Sequence, residues 1–398
     1  MKNGWRCDIL LNEHEDNICP QSVLFAINHF NAGFRSCASL LEKGLFMEVI
    51  LTVVVPAYNA QNYLKNCLDS LCLPDLLDKM EIIVVNDGST DQTGQLAEQY
   101  QKRYPHTVRV IHKENGGHGS GINCGIKAAC GRYFKVVDAD DWVDGDGFRN
   151  LMKFLEKPHL NSSGFHDQGP DVVVSGFLWA FDNGSGREET FPTKAEIRTP
   201  FSGVVYGKTY GFDQVADKIY VKMHGMTIRT DILKEHGIRV DENCFYVDTE
   251  YVLYPVPFIQ TISFIRDFVY LYRIGRAGQS VDPAKMLRLQ ADYDRVLHSL
   301  FLLYKKCRAG GLPCSREKCG YLARMIARVA AGKVKILLSA PYGRDSRARL
   351  VSFEQGMKAH YPDIYRANQN KAIRLLRLSG YRLYPAAAAL LHIKNRRG

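Results

Sequence analysis

From Val49 onward the chain alternates two patterns, and that alternation restricts its fold more than any other feature. Val49–Pro56 is a continuous apolar, β-branched run, and Glu81–Val85, Val108–His112 and Arg132–Val137 repeat it. Strands that are apolar throughout belong to sheets covered on both faces. Between them, Asn62–Leu71, Asp91–Tyr104 and Ser120–Cys130 carry helical spacing, the second preceded by the capping residues Ser89, Thr90 and Asp91. Strands joined by single helices form parallel neighbours. The expected class is therefore α/β with a doubly wound, mostly parallel sheet.

Each strand pattern ends in a polar cluster. The first runs into Pro56-Ala57-Tyr58-Asn59, and the second into Asn86-Asp87-Gly88-Ser89-Thr90-Asp91. The third runs into Lys113-Glu114-Asn115-Gly116-Gly117, and the fourth into Asp138-Ala139-Asp140-Asp141. Open α/β sheets bind ligands at the carboxyl ends of their strands, so these clusters define one crevice. Three carboxylates within four residues repel one another, and burying them unpaired is costly. A divalent cation would neutralise them, and Mg²⁺ takes one or two carboxylates plus substrate phosphates. A calcium loop does not fit, because its fifth position counted from Asp138 would be Trp142.

In this order and spacing the four clusters resemble family 2 glycosyltransferases with the GT-A fold. The resemblance is dense over 49–157 and fainter to about residue 283. It implies a metal-dependent inverting enzyme that moves a sugar from a nucleotide-diphosphate donor, most commonly a UDP-sugar, to an acceptor hydroxyl. Asp138 and Asp140 match the DxD motif, which would hold Mg²⁺ or Mn²⁺. Pro56, Tyr58, Asn59, Asp87, Lys113, Gly117 and Asp138 match the nucleotide-sugar pocket. Asp248, in Phe245-Tyr246-Val247-Asp248-Thr249-Glu250-Tyr251, matches the catalytic base that opens a helix, with Glu250 as the alternative. Arg273 and Arg276, in the loop expected over Tyr272–Ser280, would clamp the diphosphate.

Two positions depart from the pattern. Ile122 stands where the family carries Arg, and Val247 stands where it carries an acid. His118 lies close to the missing Arg and could approach the donor. The Gln-x-x-Arg-Trp signature of processive synthases is absent, which implies transfer of a single sugar, in cell-envelope or exopolysaccharide synthesis. The acceptor would be a glycan or a lipid-linked glycan. Two other classes stay open: a catalytically silent sugar-nucleotide binder, and a nucleotidyltransferase. The latter would want a Gly-rich loop where Pro56-Ala57-Tyr58-Asn59 stands.

The 398 residues suffice for more than one domain. Expected divisions are an N-terminal extension over 1–46, a catalytic domain over 47–283 and a basic helical region over 284–398. Helical patterns there cover Met286–Lys306, Arg316–Ser339, Ser346–His360 and Gln369–Leu378. Residues 291–398 hold 22 Lys and Arg against 6 Asp and Glu, whereas the remainder holds 30 against 36. Such asymmetry suits an anionic surface, and Tyr381–Arg397 mixes apolar and basic residues as membrane-interfacial segments do. No nucleic-acid motif accompanies the charge, so nucleic acid is not expected as a partner. No apolar run reaches the roughly 20 residues of a membrane span. Eleven cysteines without zinc-ligand spacing read as reduced thiols. The expected location is the cytoplasm, or the inner membrane face as a peripheral protein.

Overall fold

Alternate residues of the first strand serve two different cores. In β1 (Leu51–Ala57) every residue is buried. Val53 and Val55 join one apolar layer while Val54 joins the other, as the period of two in an extended chain requires. The same division holds in β2 (Met80–Asp87), where Ile82 and Val84 face one layer and Ile83 and Val85 the other. The computed structural model describes residues 48–157, 159–160, 166–167, 169–183, 190–195, 203–275, 283–341 and 343–397. The expected extension over 1–46 lies outside the described residues, as does Arg276.

β3 (Val108–Lys113) and β4 (Tyr133–Val136) complete a parallel half-sheet of order β3-β2-β1-β4. Its helices are α1 (Leu64–Leu71), α2 (Thr93–Arg103) and α3 (Gly117–Ala128). In α1, Leu64, Cys67, Leu68 and Leu71 are buried, the spacing of one helical face. Each leucine removed from water there is worth about 1.5–3 kcal/mol. α1 and α2 pack on the Val53 side, and α3 packs on the Val54 side. A Cβ at Gly121 of α3 would lie 2.8 Å from the Pro56 Cβ. That close approach fixes the helix against the end of β1.

The chain then departs from simple alternation. β5 (Trp142–Val143) precedes α4 (Gly145–Glu156), which the Asp144 side chain caps at the Gly147 amide, 2.8 Å away. β6 (Val172–Phe181) is a ten-residue strand. β7 (Thr193–Ala195), β8 (Thr209–Gly211), β9 (Met226–Arg229) and β10 (Thr261–Ile274) follow. The full order is β8-β10-β6-β9-β4-β1-β2-β3, with β5 on β10 and β7 on β6. β9 pairs antiparallel with both β4 and β6, whereas β6 and β10 run parallel over a long ladder. β9 thus interrupts the parallel interior of the sheet beside the carboxylate cluster, and β5, β7 and β8 pair antiparallel at its margins.

The C-terminal helices join the same core. α5 (Asp248–Leu253) is followed, after β10, by a short helix over Pro283–Arg288 and then α6 (Gln290–Arg308). The continuous helix expected over Met286–Lys306 is therefore two helices meeting at Leu289. α7 (Arg316–Ser339) follows. Leu300 of α6 and Ile326 of α7 belong to the cluster that holds Val54, Phe134 and Tyr251. Glu48–Gly398 is accordingly one unit. No helix among the described residues is long and apolar enough to cross a membrane.

Candidate active site

The ends of β2 and β3 are tied together by one carboxylate. Asp87, 3% exposed, accepts from the Lys113 ammonium at 2.6 Å and from the Gly116 and Gly117 amides at 3.0 and 2.8 Å. Gly117 adopts φ +80, a left-handed conformation that favours glycine. Asn59 also has a positive φ, 48. Its side-chain carbonyl accepts from the Thr90 amide at 2.9 Å, and its own amide donates to Ser89 Oγ at 3.0 Å. Pro56 is buried within β1, and Tyr58 stands 55% exposed at the rim. Pro56, Asn59, Asp87, Lys113 and Gly117 therefore lie at the neighbouring ends of β1, β2 and β3, where Asp87 and Lys113 bond to each other.

The carboxylate cluster divides its labour differently from the sequence expectation. Asp138 Oδ1 lies 2.7 Å from His118 Nε2, at the start of α3. Burial alone would raise the Asp138 pKa and lower that of His118. Their mutual charge and hydrogen bond reverse both directions, so Asp138 is held below the usual carboxylate range and His118 above the usual imidazole range. Asp141 takes no part in capping the following helix, which Asp144 caps. Asp141 is 1% exposed and accepts from the Tyr270 hydroxyl at 2.6 Å and the Arg273 amide at 2.8 Å. Burial first, then the charges of Asp140 and Asp138, push its pKa well up. The Tyr270 hydroxyl also accepts from the Asp138 amide at 3.1 Å, so β10 clamps the whole turn.

Arg273 departs from the clamp role suggested by its place in the sequence. β10 runs to Ile274, so Tyr272–Ile274 are strand and not flexible loop. The Arg273 side chain is 3% exposed. It donates to the Asp140 carbonyl at 3.0 Å and stands 5.0–5.2 Å from the rings of Tyr63, Trp142 and Phe191. Such a guanidinium braces the turn from behind.

Two residues invisible to sequence reasoning complete the site. His224, 8% exposed, stacks on Phe177 with ring centres 5.0 Å apart and meets Tyr270 and Tyr272 at 4.9 and 4.5 Å. Burial lowers its pKa to about 4, so the ring is neutral at pH 7, and its Nδ1 is buried without a hydrogen-bond partner. Asp138, Asp141 and His224 each offer a ligand atom within 4.8 Å of the others. Two carboxylates and a neutral imidazole with an orphan nitrogen fit a divalent cation. Asp140 stands beside this group rather than within it. Lys222, the second residue, lies 5.6, 5.9 and 5.6 Å from the ring centres of Phe177, Trp179 and Tyr220. Beneath His224, the buried Lys135 ammonium donates to its carbonyl at 2.8 Å.

Asp248 is the first residue of α5, and Val247 in the cap position makes no side-chain cap. Burial raises its pKa to about 6; the Asp138 charge adds to that, and the His118 charge opposes it. The helix start thus brings its carboxyl into electrostatic reach of the DxD cluster. Glu250 points elsewhere. It is fully buried, accepts from the Asp241 amide at 2.8 Å, and burial raises its pKa to about 7. Ile122 is a core residue of α3.

Residues 52–212 match the family model described as Glycosyl transferase family 2. Those residues form a family 2 glycosyltransferase domain. Among curated proteins, the glycosyltransferase EpsJ of Bacillus subtilis is 43% identical over 124 residues, covering 31% of this chain and 36% of EpsJ. The poly(ribitol-phosphate) β-N-acetylglucosaminyltransferase TarS of Staphylococcus aureus is 26% identical over 235 residues, covering 58% of this chain and 37% of TarS. The chain therefore spans little more than a third of the length of either relative. The structure of TarS 1–349 with UDP-GlcNAc superposes with a TM-score of 0.55 at 19% identity, covering 87% of this chain and 89% of that one. The chain thus shares the fold of TarS 1–349 well beyond residue 212 and into the C-terminal helices.

Proposed function

We propose that the chain is a metal-dependent inverting glycosyltransferase that moves a single sugar from a UDP-sugar to a hydroxyl of a cell-envelope glycan or polyol. The observation that carries this reading is the electrostatic coupling of Asp248 to Asp138 and His118. A half-buried carboxyl with a pKa of about 6 is ionised at pH 7 yet basic enough to take a proton. It stands across from strand ends whose pattern is that of a nucleotide-sugar pocket.

In this reading Asp87, Lys113 and Gly117 hold the donor cradle in shape, with Pro56, Tyr58 and Asn59 around the nucleoside. Asp248 accepts the proton of the acceptor hydroxyl as its oxygen bonds to the anomeric carbon. The bond from that carbon to the diphosphate breaks on the opposite face, which inverts the configuration. A divalent cation would supply charge neutralisation to the leaving diphosphate. Asp138, Asp141 and His224 would hold it, with Asp140 beside them. His118 keeps Asp138 oriented, and Tyr270 and Arg273 hold the turn. The aromatic wall of Phe177, Trp179 and Tyr220 around Lys222 suits the acceptor side, since sugar rings stack on aromatic faces and Lys222 would favour an anionic polymer. The named activity of TarS and its complex with UDP-GlcNAc support this donor and acceptor class.

The test is to supply Mg²⁺ or Mn²⁺ with a panel of nucleotide sugars and follow nucleoside diphosphate release. Release that needs metal and stops in Asp248→Asn is expected. Donor binding without release in the wild-type protein would favour the silent-binder reading, and sugar-nucleotide synthesis from a nucleoside triphosphate would favour the nucleotidyltransferase.

A further inference from the structure

The last two helices are apolar on the side they bury and also on the side they expose. α8 (Lys371–Leu378) seats Ile373 and Leu376 on a small core with Val334, Leu337 and Leu350. α9 (Tyr384–Arg397) seats Tyr384 and Ala388 on the same core. A helix needs one such face to dock. Here the opposite face is apolar too. Leu375 is 57% exposed, Leu378 83%, Leu383 39%, Leu390 68% and Ile393 50%. In α9 and the residue before it, Leu383, Ala386, Leu390 and Ile393 follow the 3-4-3 spacing of a single stripe. Of the nine large apolar side chains exposed among the described residues, five fall in this short stretch. Scattered exposed leucines need no explanation, but a concentrated stripe does.

The charge around the stripe selects its occupant. Residues 371–398 contain seven Lys and Arg and no Asp or Glu. Lys371, Arg374 and Arg382 are exposed beside the leucines, whereas Arg377 is spent on Glu354. A second copy of this surface would bring like charges together. A nucleic acid would use the arginines and leave the leucines in water. A bilayer with anionic headgroups satisfies both, since the apolar stripe enters the acyl boundary and the cations meet phosphates.

We infer that α8 and α9 form an interfacial docking surface for an anionic lipid bilayer. This surface is independent of the active-site reading and stands or falls separately from it. The test uses the full chain and co-sedimentation with vesicles of phosphatidylcholine alone or mixed with phosphatidylglycerol. Binding to the mixed vesicles only, weakened by salt, is expected. The pair Leu378→Asp and Leu390→Asp should lower it roughly tenfold or more with unchanged circular dichroism, because both side chains lie outside the core. Arg374→Glu with Arg382→Glu should lower it by a comparable factor and remove its salt dependence. Equal binding to both vesicle types, no binding to either, or binding indifferent to the leucine pair would overturn the inference. So would light scattering that shows a wild-type dimer split by the leucine substitutions, since the occupant would then be a second copy.

Discussion

The β1–β4 half of the molecule and the half built from β6, β9 and β10 form one crevice by different means. In the first half each side chain of the site follows a strand end, and its partners lie in the neighbouring strand–helix unit. Asp87 reaches Lys113, Gly116 and Gly117, and Asn59 reaches Ser89 and Thr90. In the second half the partners are far apart in sequence. Tyr270 and Arg273 hold Asp141, and Lys135 holds the His224 carbonyl. Local stitching makes a cradle that a sequence pattern can announce. Long-range stitching makes a chemical centre that only the folded chain assembles.

The sharpest way to break that comparison is to remove the base. Asp248→Asn should spare donor binding and lower turnover by about 10²–10⁴-fold. The wild-type rate should fall on acidification below about pH 6, since protonated Asp248 cannot accept the hydroxyl proton. That limb should vanish from any residual activity of the variant. Next, His224→Phe keeps the aromatic packing and removes the orphan nitrogen. Mn²⁺ affinity, read by calorimetry or electron paramagnetic resonance, should fall roughly tenfold or more. Asp140→Asn in the same assay measures how far the DxD position shares the ion.

Smaller effects probe the stitching itself. Tyr270→Phe should cost about 1–3 kcal/mol in denaturant unfolding, because buried Asp141 and the Asp138 amide both lose a partner. Glu250→Gln should keep turnover within a few-fold, which separates Glu250 from the base. Its effect on stability has a defined sign. A carboxyl whose folded pKa is raised to about 7 costs the native state stability as pH rises from its unfolded value toward 7. The variant should therefore gain stability over the wild type near pH 8 and lose that advantage near pH 4.

The parallel half was legible because its signals are local. Buried strands read as unbroken apolar runs, and all four strands and three helices fall where those runs predict them. The reversed strand Met226–Arg229 was not legible, since four residues carry no period. His224 and Lys222 were missed for a similar reason: a lone His or Lys has no spacing, and their meaning comes from Phe177, Trp179 and Tyr272 on other strands. Arg273 was misplaced because a basic residue near glycines resembles a loop, whereas cross-strand pairing carries β10 through it. The role of Asp141 was not legible either, since it comes from burial against Tyr270, 129 residues along the chain.

The approach to Asp248 passes through a contact that no strand provides. The Phe245 amide donates to Asp292 of α6 at 3.2 Å, and the Tyr246 ring meets Tyr293 at 5.1 Å. α6 therefore sets the position of the segment that leads into Asp248, the proposed base. A fragment ending near residue 283 would lose the surface against Phe245 and Tyr246 and uncover the core that Leu300 and Ile326 complete.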